Sequence, residues 1–381
     1  MGCVPDVVQR ESWYGPKRLV LGSILGSDIP GKIRWRHVEL ANRGVRLTLV
    51  QSRCIMERPE VVDQIEGAAV DVEKGDAGVL AGVGNTPIVR LRRIVPSSGC
   101  RVLVKLESAN PTGSMKDRMA VEVIKAAVAD GRLEPGGTVV EYTAGTTGIS
   151  LAFVCAALGY RLHVVFSDAF TVEKRKTMLA LGAQITDEPS DEGRITADLI
   201  KRMIATSAEI SQQPGHWWSD QLNNHDGVRG YETLGEEIWR QSGGQVHAFV
   251  HTVGTAHSIH GVTAALRRHS SDVTVVAVEP AESAVLSGEP TGAHRIEGIG
   301  IGFVPPLWDP GLVDSIDRVA SCEAQEMARR LARDEGLFAG TSTGANIVAA
   351  LRVAEQLDAS STVVTLAVDS GLRYLSSAPY G

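Results

Sequence analysis

The stretch NPTGSMKDRMA, Asn110 to Ala120, places Lys116 and Arg118 two residues apart behind a Pro-Thr-Gly-Ser run. The sequence that follows, VEVIKAAVADG, carries apolar residues at helical spacing and stops at Gly131, which predicts a helix with Lys116 in its first turn. The positive end of the helix dipole lies at that turn, where an ammonium is unwelcome. A solvated surface lysine is the plain reading. The other is an amine kept partly deprotonated by the local field, so that it can attack a carbonyl.

Three further segments favour the second reading. TAGTTG, Thr143 to Gly148, follows the apolar run TVVEY; GTAHS, Gly254 to Ser258, follows AFVHTV; AGTSTGA, Ala339 to Ala345, opens another helical stretch. Small residues at a helix start let backbone N–H groups approach an anion. One such loop says little. Several of them with a helix-start lysine point to an anionic carbonyl cofactor, and pyridoxal phosphate fits: Lys116 forms the Schiff base, one loop holds the phosphate, another faces the pyridine nitrogen.

The elements that must position these groups alternate along the chain. CRVLVKLE, GTVVEYT, RLHVVFS, VHAFVHTVG, VTVVAVEP and STVVTLAVDS read as strands; GVRGYETLGEEIWRQ, SIHGVTAALRRH, AQEMARRLARDEG and GANIVAALRVAEQ read as helices. This alternation predicts an α/β fold of parallel sheets flanked by helices, with ligands bound where strands lead into helices. With 38 basic and 45 acidic residues, net charge −7, and no basic block, the chain has no nucleic-acid signature. No long apolar run suggests a membrane span, and the first residues lack a secretory pattern. The five cysteines are scattered without metal-ligand spacing, which predicts no metal site and a reducing, cytoplasmic setting. Residues 1–75 read as an N-terminal extension. Its first 55 residues are basic and weakly patterned, either upstream sequence ahead of a start at Met56 or a regulatory appendage.

Over residues 76–381 the chain resembles the fold type II pyridoxal-phosphate enzymes (tryptophan synthase β-like), specifically the cysteine synthase and cystathionine β-synthase group. GNTPIVRL (Gly84 to Leu91), NPTGSMKDR, EKRKTMLALGAQI, HRIEGIGIGFVP and DSGLRYLS follow that group's pattern in order. The resemblance implies two domains, a smaller one over 110–220 and a larger one from 76–109 with 221–381, with the cofactor between them. It makes Lys116 the Schiff-base lysine and the base for the substrate α-proton. It assigns TAGTTG to the substrate carboxylate, with Thr143, Gly145 and Thr147, and adds Gln221 of SDQLNN and Gly298 of HRIEGIG as substrate residues. GTAHS becomes the phosphate cup, Gly254, Thr255, Ala256, His257 and Ser258, with Gly254, Thr255 and Ser258 as donors. Ser342 faces the pyridine nitrogen, and Thr146 lies at the cofactor.

This sequence departs from the pattern at four positions: Thr146 stands where the group has Asn, Ala144 replaces a serine, and Ala256 and His257 replace two glycines. Two orientations are open to His257, outward from the helix start or inward to the phosphate or cleft mouth. The resemblance implies β-replacement on an activated L-serine, O-acetylserine or O-phosphoserine, by a sulfur nucleophile, giving L-cysteine or an S-substituted cysteine. Cystathionine formation is the alternative within the group, and a catalytically weak cofactor-binding regulator is the alternative of another class. The expected partners are the amino-acid substrate, the sulfur donor and a second copy in a homodimer.

Overall fold

The structure, a computed structural model, describes residues 78–381 and, ahead of them, the backbone of three strands, β1 (Val38–Glu39), β2 (Arg46–Val50) and β3 (Arg53–Met56). These pair antiparallel in the order β1-β2-β3 within a unit that ends at Val72. The rest of the extension expected over 1–75 lies outside the described residues.

The unit Glu73–Gly381 is built on two sheets. The larger takes β4 (Ile88–Arg90), β5 (Arg101–Leu106), β10 (Ala248–Thr252), β11 (Thr274–Pro280), β12 (Ser315–Val319) and β13 (Thr362–Ala367), in the order β12-β11-β10-β13-β5-β4. The smaller takes β6 (Thr138–Tyr142), β7 (Arg161–Ser167), β8 (Gln184–Glu188) and β9 (His216–Trp218), in the order β8-β7-β6-β9. Every pairing is parallel except β4 with β5, where an antiparallel strand closes the edge.

Both faces of the larger sheet are apolar, so its strands read as near-continuous hydrophobic runs. Val102, Val104, Val250, Val276 and Val363 enter one core, while Leu103, Phe249, Val275, Ala277 and Val364 enter the core on the opposite face. A third core, with Val139, Val140, Val164 and Val165, lies around the smaller sheet. The six apolar runs all form strands. In this unit the strands not anticipated, β4, β8, β9 and β12, are short or carry charged residues that hide the pattern.

Helix α1 (Lys116–Ala129) is fastened behind its first turn by a buried charge network. Arg118 donates to Glu107 at 2.7 and 2.9 Å and to Glu237 at 2.8 Å, and Lys105 Nζ also meets Glu237, at 2.6 Å. Burial works against the Glu237 charge, but Arg118 and Lys105 hold its carboxyl down at about 2. Removing one partner from such a network leaves a buried charge unpaired, so the network fixes where α1 starts. The run AQEMARRLARDEG is helical but changes character: α7 covers Ser321–Arg330, and Leu331–Glu335 continues as a π-helical turn.

Candidate active site

Lys116 is the first residue of α1, and Asp117 beside it pins the preceding turn. The Asp117 carboxylate accepts from Thr112 N–H at 2.8 Å, Thr112 Oγ1 at 2.5 Å and Ser150 Oγ at 2.6 Å. Lys116 itself is half-buried, with protein packed densely round the side chain. That burial pushes its ammonium down to about 8. Among the described residues its Nζ has no hydrogen-bond or ion-pair partner.

The other motif loops converge here through backbone contacts. Met115 N–H donates to the Val368 carbonyl at 3.0 Å and Ser370 N–H to Gly113 at 2.9 Å, joining the lysine loop to DSGLRYLS. Thr343 Oγ1 accepts Val368 N–H at 3.0 Å, and Thr341 Oγ1 accepts Glu297 N–H at 3.1 Å, which ties in both AGTSTGA and HRIEGIG. Gly254 then meets Gly298: a Cβ at residue 254 would fall 2.5 Å from the Gly298 carbonyl oxygen. Ser342, second in α8 (Thr341–Ala354), is buried and its hydroxyl has no partner among the described residues.

The GTAHS loop opens α6 (His257–His269), with Ala256 in the left-handed region at φ 69°. His257 is fully buried, which corrects the outward orientation left open above. Its Nδ1 lies 2.8 Å from Thr255 Oγ1 and its Nε2 2.7 Å from the Asn224 carbonyl. Burial and then the Lys116 charge push its pKa down to about 3, so the free ring is neutral. Ser258 Oγ meets a second buried histidine, His251 on β10, at 2.8 Å; burial and Lys116 hold this ring at about 3 as well. Lys116 and the GTAHS loop therefore belong to one electrostatic neighbourhood.

The TAGTTG loop caps α2 (Thr146–Leu158). Thr143 Oγ1 accepts the N–H groups of Gly145 at 2.9 Å and Gly148 at 3.2 Å, which leaves its own hydrogen free to donate. The Thr147 hydroxyl is already engaged, donating to Gln221 Oε1 at 2.8 Å, and Gln221 Nε2 donates to the Tyr142 carbonyl at 2.8 Å. The Gln221 amide is thus bonded at both ends and supports the loop from behind. Backbone N–H groups at the start of α2 and the Thr143 hydroxyl are the donors this loop can offer a carboxylate.

Three residues given no role from sequence shape this cleft. Glu141 accepts from Ser219 Oγ at 2.7 Å, Gln221 N–H at 2.9 Å and Tyr142 N–H at 3.0 Å, and burial pushes its carboxyl up to about 7. Lys174 and Glu297 form an ion pair, with the Lys174 Nζ 4.6 Å from the centre of the Tyr374 ring. Lys174 and Glu297 lie inside EKRKTML and HRIEGIG, so motif membership was their only signal; Glu141 sits in a strand and had none. Trp217 packs into two of the cores, and Glu282 Oε1 accepts the Ser321 N–H at 2.7 Å, structural roles for both.

The donor set fits pyridoxal phosphate. A partnerless amine of lowered basicity, helix starts with free N–H groups at α2 and α6, and a partnerless hydroxyl on the largely buried Ser342 match an aldehyde, a carboxylate with a phosphate, and a ring nitrogen. No cluster of three metal-ligating side chains occurs among the described residues. No helix of the described residues is long and apolar enough to cross a membrane.

Comparison with known proteins agrees with this chemistry. A family described as "Pyridoxal-phosphate dependent enzyme" matches residues 79–369. A cysteine synthase of Staphylococcus aureus (strain Mu50 / ATCC 700699) is 39% identical over 300 residues, 78% of this chain and 95% of its own. Among solved structures, a cysteine synthase (OASS) from Entamoeba histolytica is 34% identical with TM-score 0.74, covering 78% of this chain and 88% of its own. An O-ureido-L-serine synthase is 37% identical with TM-score 0.74, covering 78% and 93%.

Proposed function

The chain belongs to the pyridoxal-phosphate-dependent enzymes, within the cysteine synthase group, and on that premise we propose that it converts O-acetylserine or O-phosphoserine to L-cysteine or an S-substituted cysteine. It is a transferase that works by β-replacement. The activated serine loses acetate or phosphate from its β-carbon, and a sulfur nucleophile takes that position. The cofactor, when bound, supplies an electron sink that makes the substrate α-proton acidic.

The chain's own residues do the rest. Lys116 Nζ holds the cofactor and, once freed by the substrate, takes the α-proton; its depressed basicity keeps enough free amine near neutral pH for both. The start of α2 and the Thr143 hydroxyl hold the substrate carboxylate, with Gly145 allowing close approach. The start of α6, with Gly254 and Ser258, receives the phosphate. Ser342 offers a neutral hydroxyl to the ring nitrogen, which leaves that nitrogen uncharged and moderates the electron sink, as suits elimination from the β-carbon. We assign residues 110–220 to a smaller domain facing a larger one of 76–109 with 221–381; strands β6–β9 fall inside the first range and β4, β5 and β10–β13 outside it. We also propose a cytoplasmic homodimer; the cysteines of the described region, Cys100, Cys155 and Cys322, are all free thiols.

The observation that carries the reading is the partnerless Lys116 amine among these helix starts. The test is to offer serine, O-acetylserine and O-phosphoserine to the cofactor-loaded protein, each with sulfide, thiosulfate or homocysteine. Release of acetate or phosphate with a new cysteine-type product is expected. Turnover confined to serine with homocysteine would move the enzyme to cystathionine formation.

A further inference from the structure

The two histidines behind the GTAHS loop are wired in opposite senses. Asn346 Oδ1 accepts the Thr252 N–H at 2.7 Å and its Nδ2 donates to the Leu366 carbonyl at 2.9 Å, so the amide orientation is fixed by its partners. That Nδ2 also faces His251 Nδ1 at 3.4 Å, which makes Nδ1 an acceptor and leaves the ring proton on Nε2. His251 then donates to Ser258 Oγ, and the Ser258 hydrogen is free to point at a ligand. His257 is the reverse. Its Nε2 faces the Asn224 carbonyl, which can only accept, so Nε2 carries the proton. In the neutral ring Nδ1 is an acceptor, and the Thr255 hydroxyl must direct its hydrogen backwards onto it.

We propose that His257 takes up one proton when phosphate enters the Gly254–Ser258 loop, and that Thr255 thereby turns its hydroxyl from the imidazole to the anion. This rests on the reading of that loop as the phosphate cup. The proton comes from solvent and binds Nδ1; Nδ1–H then donates to Thr255 Oγ1, and the Thr255 hydroxyl donates to a phosphate oxygen. No other bond forms or breaks. Without the proton, the turned hydroxyl would set an oxygen lone pair against a nitrogen lone pair 2.8 Å away.

The surroundings make the anion the deciding partner. Lys116 on α1, His225 in the turn before α5 (Val228–Gln241) and His260 on α6 itself all oppose a positive charge on His257. Gly227 lies close against the ring, since a Cβ there would come 2.9 Å from Cδ2, so the imidazole is closely packed on that side. His257 is therefore a positioning residue that acts through Thr255, and its charge state follows the occupancy of the loop.

Calorimetric titration of cofactor-free protein with pyridoxal phosphate, in two buffers of different ionisation heat, counts the protons taken up. Wild type should take up about one proton more than His257→Gly, and its Kd should rise by about tenfold per pH unit relative to the variant wherever the bound ring is charged and the free ring is not. The range used lies above the phosphate's own second ionisation, near pH 6. Equal proton counts in two proteins that both bind overturn the proposal. Nitrogen-15 NMR of the wild-type ring gives the same answer without a variant: a neutral ring with its proton on Nε2 when free, both nitrogens protonated with inorganic phosphate or pyridoxal phosphate. A ring that stays neutral overturns it. Thr255→Val separates the two levels. Phosphate affinity untouched by that change removes the phosphate-cup reading and the proposal with it, whereas affinity lost while His257 stays neutral removes the proposal alone.

Discussion

Lys174, on α3 (Val172–Ala180), crosses Gly145 so closely that a Cβ at residue 145 would sit 2.5 Å from the Lys174 Cδ. Lys174 cannot yield easily, being buried, paired with Glu297 and held over the Tyr374 ring. Gly145 also adopts φ 113°, a conformation that side chains rarely tolerate. Gly145→Ala should therefore lower stability by about 2 kcal/mol, the scale of one strained backbone residue with a clash. Urea unfolding measures it, and a midpoint equal to wild type would contradict the close packing of Lys174 on the loop.

Lys116→Ala should abolish turnover and the visible absorbance of lysine-linked cofactor. A second readout uses its lowered pKa of about 8, against 10.5 for an ordinary lysine. Free amine is the attacking form, and below the pKa its fraction rises about tenfold per pH unit. Loading of cofactor-free protein should accelerate as pH climbs towards about 8 and level off above it. A rate still climbing towards 10.5 would show that Lys116 is not shielded from water.

How far these roles could be read from sequence depends on what kind of contact sets them. The helix-start placement of Lys116 and of the three small-residue loops was legible because a helix start imposes a local composition, while Ser342 was singled out by the family resemblance alone. The apolar strands were legible because a sheet buried on both faces needs continuous hydrophobic runs. Glu141, Lys174 and His251 were not, since their roles come from partners 78, 123 and 95 residues away, Ser219, Glu297 and Asn346. His257 shows the limit most clearly. Its identity at a helix start was plain, but its inward direction is set by the Asn224 carbonyl, 33 residues back.

Deleting residues 1–55 should leave cofactor binding and turnover within about a factor of two. Each motif assigned a role begins after that stretch, the family match starts at residue 79, and the division between units falls at Val72–Glu73. Among the described residues, the three cores of the second unit take their apolar side chains from residue 80 onward. Absorbance of bound cofactor and steady-state rates on the shortened protein measure the effect. Loss of cofactor from a soluble truncation would assign those residues a part in the site.

Glu141 should leave a signature in the pH dependence of stability. Its carboxyl is fully buried, and burial raises it from 4.5 to about 7 despite the donors from Ser219 and Gln221; Asp220 adds to the rise. Between those two values the folded chain keeps the proton and the unfolded chain does not. The native state thus binds more protons, so stability falls as pH rises from about 4.5 and flattens above about 7. The full effect of such a shift is on the order of 3 kcal/mol. Glu141→Gln removes the titration and should flatten this part of the profile. The amide turns an NH2 towards donor groups, so the variant should also be less stable at every pH. Urea midpoints of both proteins from about pH 5 to pH 8 give the comparison. An equal slope in the variant would assign the pH dependence to another group and leave Glu141 ionised behind the substrate loop.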